Sequence, residues 1–274
     1  MVNTLFGINL TAVAGTAWSS EDKQAIQEAV WRVATRLASA TNSSVWRGGG
    51  TGYLATTFKA VYGIRDNRQL RFHLDPHIVN NQIVNYGCYN CRPNICRTPK
   101  DPLKTGEPNE YWENDLVING EQDCDCKPIG GYTHTVRSIE FASLWDNYDS
   151  KGSAVKQLRK VNNVIHELGH AFSARLDGKP KDAVHAHSTT IGNEEWRMES
   201  RPLGFYVGDV SKYGTMTWVQ SPTVSDTEVF ADMFLGWVYN KWDDTPSGRV
   251  YGQERARFMN ARMPGWIRDA MRKP

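Results

Sequence analysis

The stretch Val161-Asn162-Asn163-Val164-Ile165-His166-Glu167-Leu168-Gly169-His170-Ala171-Phe172 decides how this chain is read. Val155, Leu158, Val161, Ile165, Leu168 and Phe172 recur with helical spacing and predict one long helix over 153–175. His166 and His170 are four apart on that helix, so their imidazoles lie one above the other and can converge on one ion. Glu167 follows the first His, placed to take a proton from a water held beside the ion. A glycine inside a helix costs about 1 kcal/mol against alanine, so Gly169 predicts that another element passes close to the helix there. Leu176-Asp177-Gly178-Lys179-Pro180 ends the helix, with Gly178 in the left-handed closing position and Pro180 forbidding further turns. The polar run of Arg159, Lys160, Asn162 and Asn163 predicts that the helix is not buried all round.

Zn2+ suits this pattern, since it polarises a carbonyl and acidifies water without redox chemistry. Two histidines and a base make half a site, because an open catalytic zinc takes a third protein ligand. A second helix is predicted from Ser225 to Trp242, where Ser225 caps and Glu228 stands three residues on, with Val224 and Val229 bracketing the entry. Val229, Phe230, Met233, Phe234, Trp237 and Val238 form its packed side. Glu228 is the preferred third ligand, and Asp232, one turn later, can accept a hydrogen bond from the distal nitrogen of His166 or His170. The competitors are Glu194 or Glu195, with Glu199 completing a four-residue step, and the pair His185 and His187. His73, His77 and His134 are read as non-ligands.

His-Glu-Leu-Gly-His at 166–170 and Glu-Val-Phe-Ala-Asp-Met-Phe at 228–234 together resemble the gluzincin arrangement of zincin metallopeptidases. The Phe-Ala pair after Glu228 resembles the anthrax lethal factor type and the peptidases that cleave phage or stress repressors, and thermolysin likewise has an Asp four residues after its Glu. The metzincin pattern is absent, with Leu176 where its third His would stand and Ser173 where its Gly would stand. Ser221 occupies the place of the lethal factor Tyr, and Tyr206 and Tyr213 are nearby candidates for oxyanion support. The resemblance covers two helices. It implies a zincin-like α+β fold, a small mixed sheet packed on helices, and a zinc endopeptidase. In that reading His166, His170 and Glu228 hold Zn2+, Glu167 is the general base, and a protein or peptide substrate lies extended along a sheet edge such as 70–74. Two other readings stand beside it: a binding or structural protein with a closed zinc or none, and a toxin-like peptidase of narrow specificity.

Outward from these helices, Ser19 or Ser20 caps an amphipathic helix carrying Ala25, Ile26, Ala29, Val30, Val33 and Leu37. The glycines from Gly48 to Gly52 make a loop and lack the Lys-Ser/Thr of a phosphate loop. Phe58–Tyr62 and Leu70–Leu74 are predicted strands, joined as a hairpin through Arg65-Asp66-Asn67. A long insertion, about 75–132, follows and holds Cys88, Cys91, Cys96, Cys124 and Cys126. Two disulfides with one thiol over, a structural zinc on Cys88-x2-Cys91 and Cys124-x-Cys126, and free thiols all fit that set. A short helix is expected around Val136–Trp145, irregular chain over 183–190, and a C-terminal helix from about Arg255 to Arg268 interrupted at Pro264-Gly265. The organisation expected is one catalytic domain over 1–274, with an N-terminal lobe 1–170, the insertion, and a C-terminal helical subdomain 171–274.

Composition narrows the partners. Lys plus Arg is 32 against 30 for Asp plus Glu, a formal charge of +2, and the basic residues are scattered, so no nucleic-acid partner is expected. Mean hydropathy is −0.55, and no run of about 18 apolar residues predicts a membrane span. Met1 to Gly7 lacks the basic region of a signal peptide. Disulfides in the cysteine cluster would place the protein outside the cell, as secreted or extracellular, with the cytoplasm as the alternative.

Overall fold

The computed structural model describes residues 2–12, 15–41, 50–65, 68–74, 132–135, 138–141, 153–191, 226–242 and 249–274. In chain order the elements are α1 (Val2–Phe6), β1 (Ile8–Ala12), α2 (Ser20–Thr41), α3 (Thr51–Tyr62), β2 (Leu70–Leu74), β3 (Tyr132–Thr135), β4 (Ser138–Phe141), α4 (Ser153–Arg175), α5 (Lys179–Ile191), α6 (Asp226–Tyr239) and α7 (Arg249–Arg272). The five cysteines, Glu194, Glu195, Glu199, Tyr206, Tyr213 and Ser221 lie outside the described residues, as does nearly all of the expected insertion.

The four strands form one mixed sheet in the order β1-β2-β4-β3. β2 pairs in parallel with both β1 and β4, while β3 runs antiparallel to β4. Its strand alternation sends Leu70 and Phe72 into the core, fully buried with Ile139 of β4. On the opposite face His73 hydrogen-bonds through Nδ1 to the Thr11 hydroxyl of β1 at 2.8 Å. Leu70–Leu74 is therefore an interior strand, which corrects the expectation that it offers an exposed edge. Both of its hydrogen-bonding sides are taken, and His73 is tied to a neighbouring strand.

α2 follows the predicted pattern: Ala25, Ile26, Ala29, Val30, Val33, Ala34, Leu37 and Ala38 are buried along one stripe. Ser19 caps it, its hydroxyl accepting from the Asp22 N–H at 3.0 Å. Phe58–Tyr62 is not a strand but the end of α3, whose Leu54, Ala55, Phe58, Val61 and Tyr62 are buried at helical spacing. A five-residue window had too few apolar positions to separate periods of 2 and 3.6. The expected hairpin falls with it.

α4 has the predicted bounds, but the left-handed closing position falls to Asp177 at φ 55°, whose N–H donates to the Ala174 carbonyl at 3.1 Å, while Gly178 at φ 80° follows and donates to the Ser173 carbonyl at 3.0 Å. Pro180 does not end helical structure; it sits in the first turn of α5, where a missing N–H costs nothing. The irregular chain expected over 183–190 is thus helical, anchored in the core by Val184. Ser138–Phe141 is a strand rather than part of a short helix, and the flanking residues of that expected helix lie outside the described set. α7 runs through Pro264 without a break. Met259, Met263, Ile267 and Ala270, buried at steps of three and four, hold both halves on one axis.

α4 is the hub. α6 crosses it at Gly169, and Phe172 of α4 stacks on Phe234 and Phe230 of α6 at 5.5 and 6.3 Å. Each such ring contributes roughly 1.5–3 kcal/mol by leaving water. Tyr62 of α3 donates to the Leu168 carbonyl at 3.1 Å, and Lys160 reaches Asp22 at the start of α2 at 2.9 Å. At the far end the Arg175 guanidinium donates to the carbonyls of Ala270, Lys273 and Pro274, closing the end of α7. Lys160, Asn162 and Asn163 are all buried, against the expectation of a solvated polar side. Lys160 is paired and Asn162 accepts the Tyr239 hydroxyl, so polarity here marks contacts between helices.

A β-carbon at Gly169 would lie 3.1 Å from both the Ala231 Cα and the Phe234 Cβ. The backbone of α6 cannot yield as a side chain would. Gly169→Val is predicted to destabilise the protein by about 2–3 kcal/mol in urea unfolding. A change below about 0.5 kcal/mol would mean that the helices have slack at this crossing.

Candidate metal centre

The α4–α6 crossing sets Glu228, in the first turn of α6, opposite two histidines on successive turns of α4. His166 Nε2 lies 3.0 Å from His170 Nε2 and 3.1 Å from Glu228 Oε2, and His170 Nε2 lies 3.3 Å from Glu228 Oε1. The imidazole planes stand at 86° to each other with their nitrogens turned to a common point. Among the described residues these three form the one group that could hold a metal ion.

Behind the group, Asp232 is 1% exposed, and its carboxylate accepts from His166 Nδ1 at 2.7 Å. That bond orients the ring and turns Nε2 toward Glu228 and His170, the nitrogen through which a metal would be held. Asp232 was expected to serve either histidine; it serves His166. Burial pushes the His166 pKa down, but Asp232 and Glu228 outweigh it and hold the ring well above the usual histidine range. Burial likewise pushes Glu228 up, and the two imidazoles overcome it, leaving the carboxyl well below the usual carboxylate range. Two carboxylates gathered around two imidazoles set edge to face make a place that draws positive charge.

Two nitrogens and a carboxylate oxygen are a donor set that Zn2+ takes, with bonds of about 2.0–2.1 Å to nitrogen. A tetrahedron of that size has ligand atoms about 3.3 Å apart. The 3.0 Å between the two Nε2 atoms is close to that, and the Glu228 carboxylate meets them with one oxygen each, Oε2 at 3.1 Å from His166 and Oε1 at 3.3 Å from His170. The Glu228 side chain is 36% exposed against 5% for His166, so the approach from solvent is on the Glu228 side. Glu167 is 4% exposed and follows His166 on α4.

Of the competing ligands, His185 and His187 do not join this group, and Glu194, Glu195 and Glu199 lie outside the described residues. His185 lies 3.2 Å from Asp226, and His187 lies 3.9 Å from Glu254 with its ring against Phe258. Sequence reasoning did not find Tyr62, whose hydroxyl braces the carbonyl of Leu168 inside the His-Glu-Leu-Gly-His turn. A tyrosine at the end of an apolar helix carries no signal of such a role.

The arrangement matches the geometry of a His-Glu-x-x-His zinc peptidase. No family model, no curated protein and no solved structure matches the chain. The likeness to the lethal factor type and to repressor-cleaving peptidases, carried on two helices alone, is therefore corrected. What the structure supports is a gluzincin-like His166, His170 and Glu228 triad, set among seven helices of the described residues.

Asp232→Ala would leave His166 Nδ1 without its acceptor and the ring free to turn. Zinc affinity, measured by competition with a chromogenic chelator, is predicted to fall about 10–100-fold while helix content stays unchanged. Unchanged affinity would show that the His166–Asp232 bond does not tune the site.

Proposed function

We propose that the chain is a zinc-dependent endopeptidase, a reading carried by the convergence of His166, His170 and Glu228 beside the buried Glu167. His166 and His170 would hold the ion through Nε2 and Glu228 through its carboxylate. A bound Zn2+ supplies Lewis acidity toward a peptide carbonyl and acidifies water.

The remaining work falls to the chain's own residues. Glu167 accepts a proton from the water as its oxygen adds to the carbonyl carbon. It then delivers that proton to the amine as the C–N bond breaks, so that one water is consumed per bond cleaved. Asp232 keeps the Nδ1 proton on His166 and so fixes which nitrogen faces the site. The α4–α6 packing excludes bulk water from the His166 side, which strengthens every electrostatic contact there.

Support for an extended peptide substrate comes from β3. It packs against α4 and pairs on one side with β4, and among the described residues its other side has no strand. A peptide laid along β3 adds to the sheet beside the metal-bearing helix, in place of the interior β2. One continuous core drawn from α1 through α7 supports a single domain over the described parts of 1–274. No helix among the described residues is long and apolar enough to cross a membrane.

A closed structural zinc would need a fourth protein donor, and the group among the described residues has three. Two variants separate the readings. Glu167→Gln is predicted to retain one zinc per chain and lose about 10²–10⁴-fold in kcat, whereas Glu228→Ala loses the zinc as well. Metal content by atomic absorption and hydrolysis of a quenched fluorescent peptide measure the two. A Glu167→Gln protein cleaving at the parent rate would remove Glu167 from the mechanism.

A further inference from the structure

We infer that Asn163 is a further substrate-binding residue, its side-chain amide donating a hydrogen bond to a carbonyl oxygen of the bound peptide. The inference rests on the peptidase reading and names a contact that reading does not use. Asn163 is 3% exposed, and its Nδ2 has no hydrogen-bond partner among the described residues. Buried amide donors are seldom left unpaired, because an unmet donor has lost water and gained nothing.

Its place on the helix says what would complete it. Asn163 precedes His166 by three residues, Glu167 by four and His170 by seven, so it shares their stripe of α4. Val161, Val164, Ile165 and Leu168 occupy the other sides and are buried in the apolar core. The neighbouring Asn162 also has an Nδ2 with no partner among the described residues, but its Oδ1 accepts the Tyr239 hydroxyl at 2.9 Å, which fastens it toward α6. Asn163 stands about 4.5 Å along the axis from His166. A peptide in strand conformation advances about 3.3 Å per residue. The amide is thus within about one residue's reach of the bond under attack, on the face where Glu167 acts.

A carbonyl acceptor can come from the peptide main chain or from an Asn, Gln, Asp or Glu side chain beside the cleaved bond. Both offer the same chemistry to Nδ2. Among the described residues nothing meets this donor, and a substrate carbonyl would do so on binding. Such a residue trades stability for recognition.

The test uses the zinc-loaded protein and a synthetic peptide library randomised at four positions on each side of the cut. Asn163→Leu keeps the volume and removes the donor; Asn163→Ser keeps a smaller donor. The Leu variant is expected to retain one zinc, to melt about 2–4 °C higher, and to lose about 10-fold or more in kcat/KM through KM. The Ser variant recovers part of that loss. A uniform loss across the library assigns the acceptor to the main chain. A loss confined to sequences bearing Asn, Gln, Asp or Glu at one position assigns it to a side chain. Asn163→Leu with parental kcat/KM and cleavage profile overturns the inference and leaves the peptidase reading standing. Zinc-loaded parent that cleaves no library member overturns the peptidase reading itself, and this inference with it.

Discussion

The close crossing of α4 and α6 at Gly169 is the constraint on which the site depends. With no side chain at that position, the backbone of Ala231 and the ring of Phe234 settle directly against the metal-bearing helix. That contact fixes the height of α6 along α4, and the height places Glu228 opposite His166 and His170 rather than a turn away. Stacked phenylalanines hold the crossing from below. The apolar packing of two helices thereby sets the spacing of three polar atoms.

The same packing accounts for the electrostatics. Asp232 and Glu228 sit four residues apart on α6, so both carboxylates address His166, one at each ring nitrogen. The buried carboxylate fixes the ring and the more exposed one is left to complete the group. A buried carboxylate such as Asp232 is costly unless it is hydrogen-bonded and has positive charge nearby. A divalent cation answers that need, and the separations of the donor atoms suit zinc.

Much of the site was legible in the sequence because its chemistry demands particular residues at particular spacings. His166, Glu167 and His170 follow from a four-residue step on a patterned helix, and Glu228 from the need for a third ligand on the next well-patterned helix. Gly169 was legible as a close approach because glycine is otherwise costly in a helix. The fold was less so. Phe58–Tyr62 and residues 183–190 carry too few apolar positions to declare their period, and tertiary packing settled both as helix. The interior place of β2 depends on parallel pairing with strands on either side of a long stretch of chain, which no local pattern records. Asn162, Asn163 and Lys160 read as a solvated face because polar residues usually are; here partners on α2 and α6 take in two of them.

The proposed chemistry requires one ion held by His166, His170 and Glu228. The most direct test is anomalous X-ray scattering from crystals grown with zinc, recorded on both sides of the zinc absorption edge. A single peak bonded to His166 Nε2, His170 Nε2 and the Glu228 carboxylate, with a position left open toward solvent, is the expected result. A peak completed by a fourth protein side chain, or no peak between the two imidazoles, would contradict it.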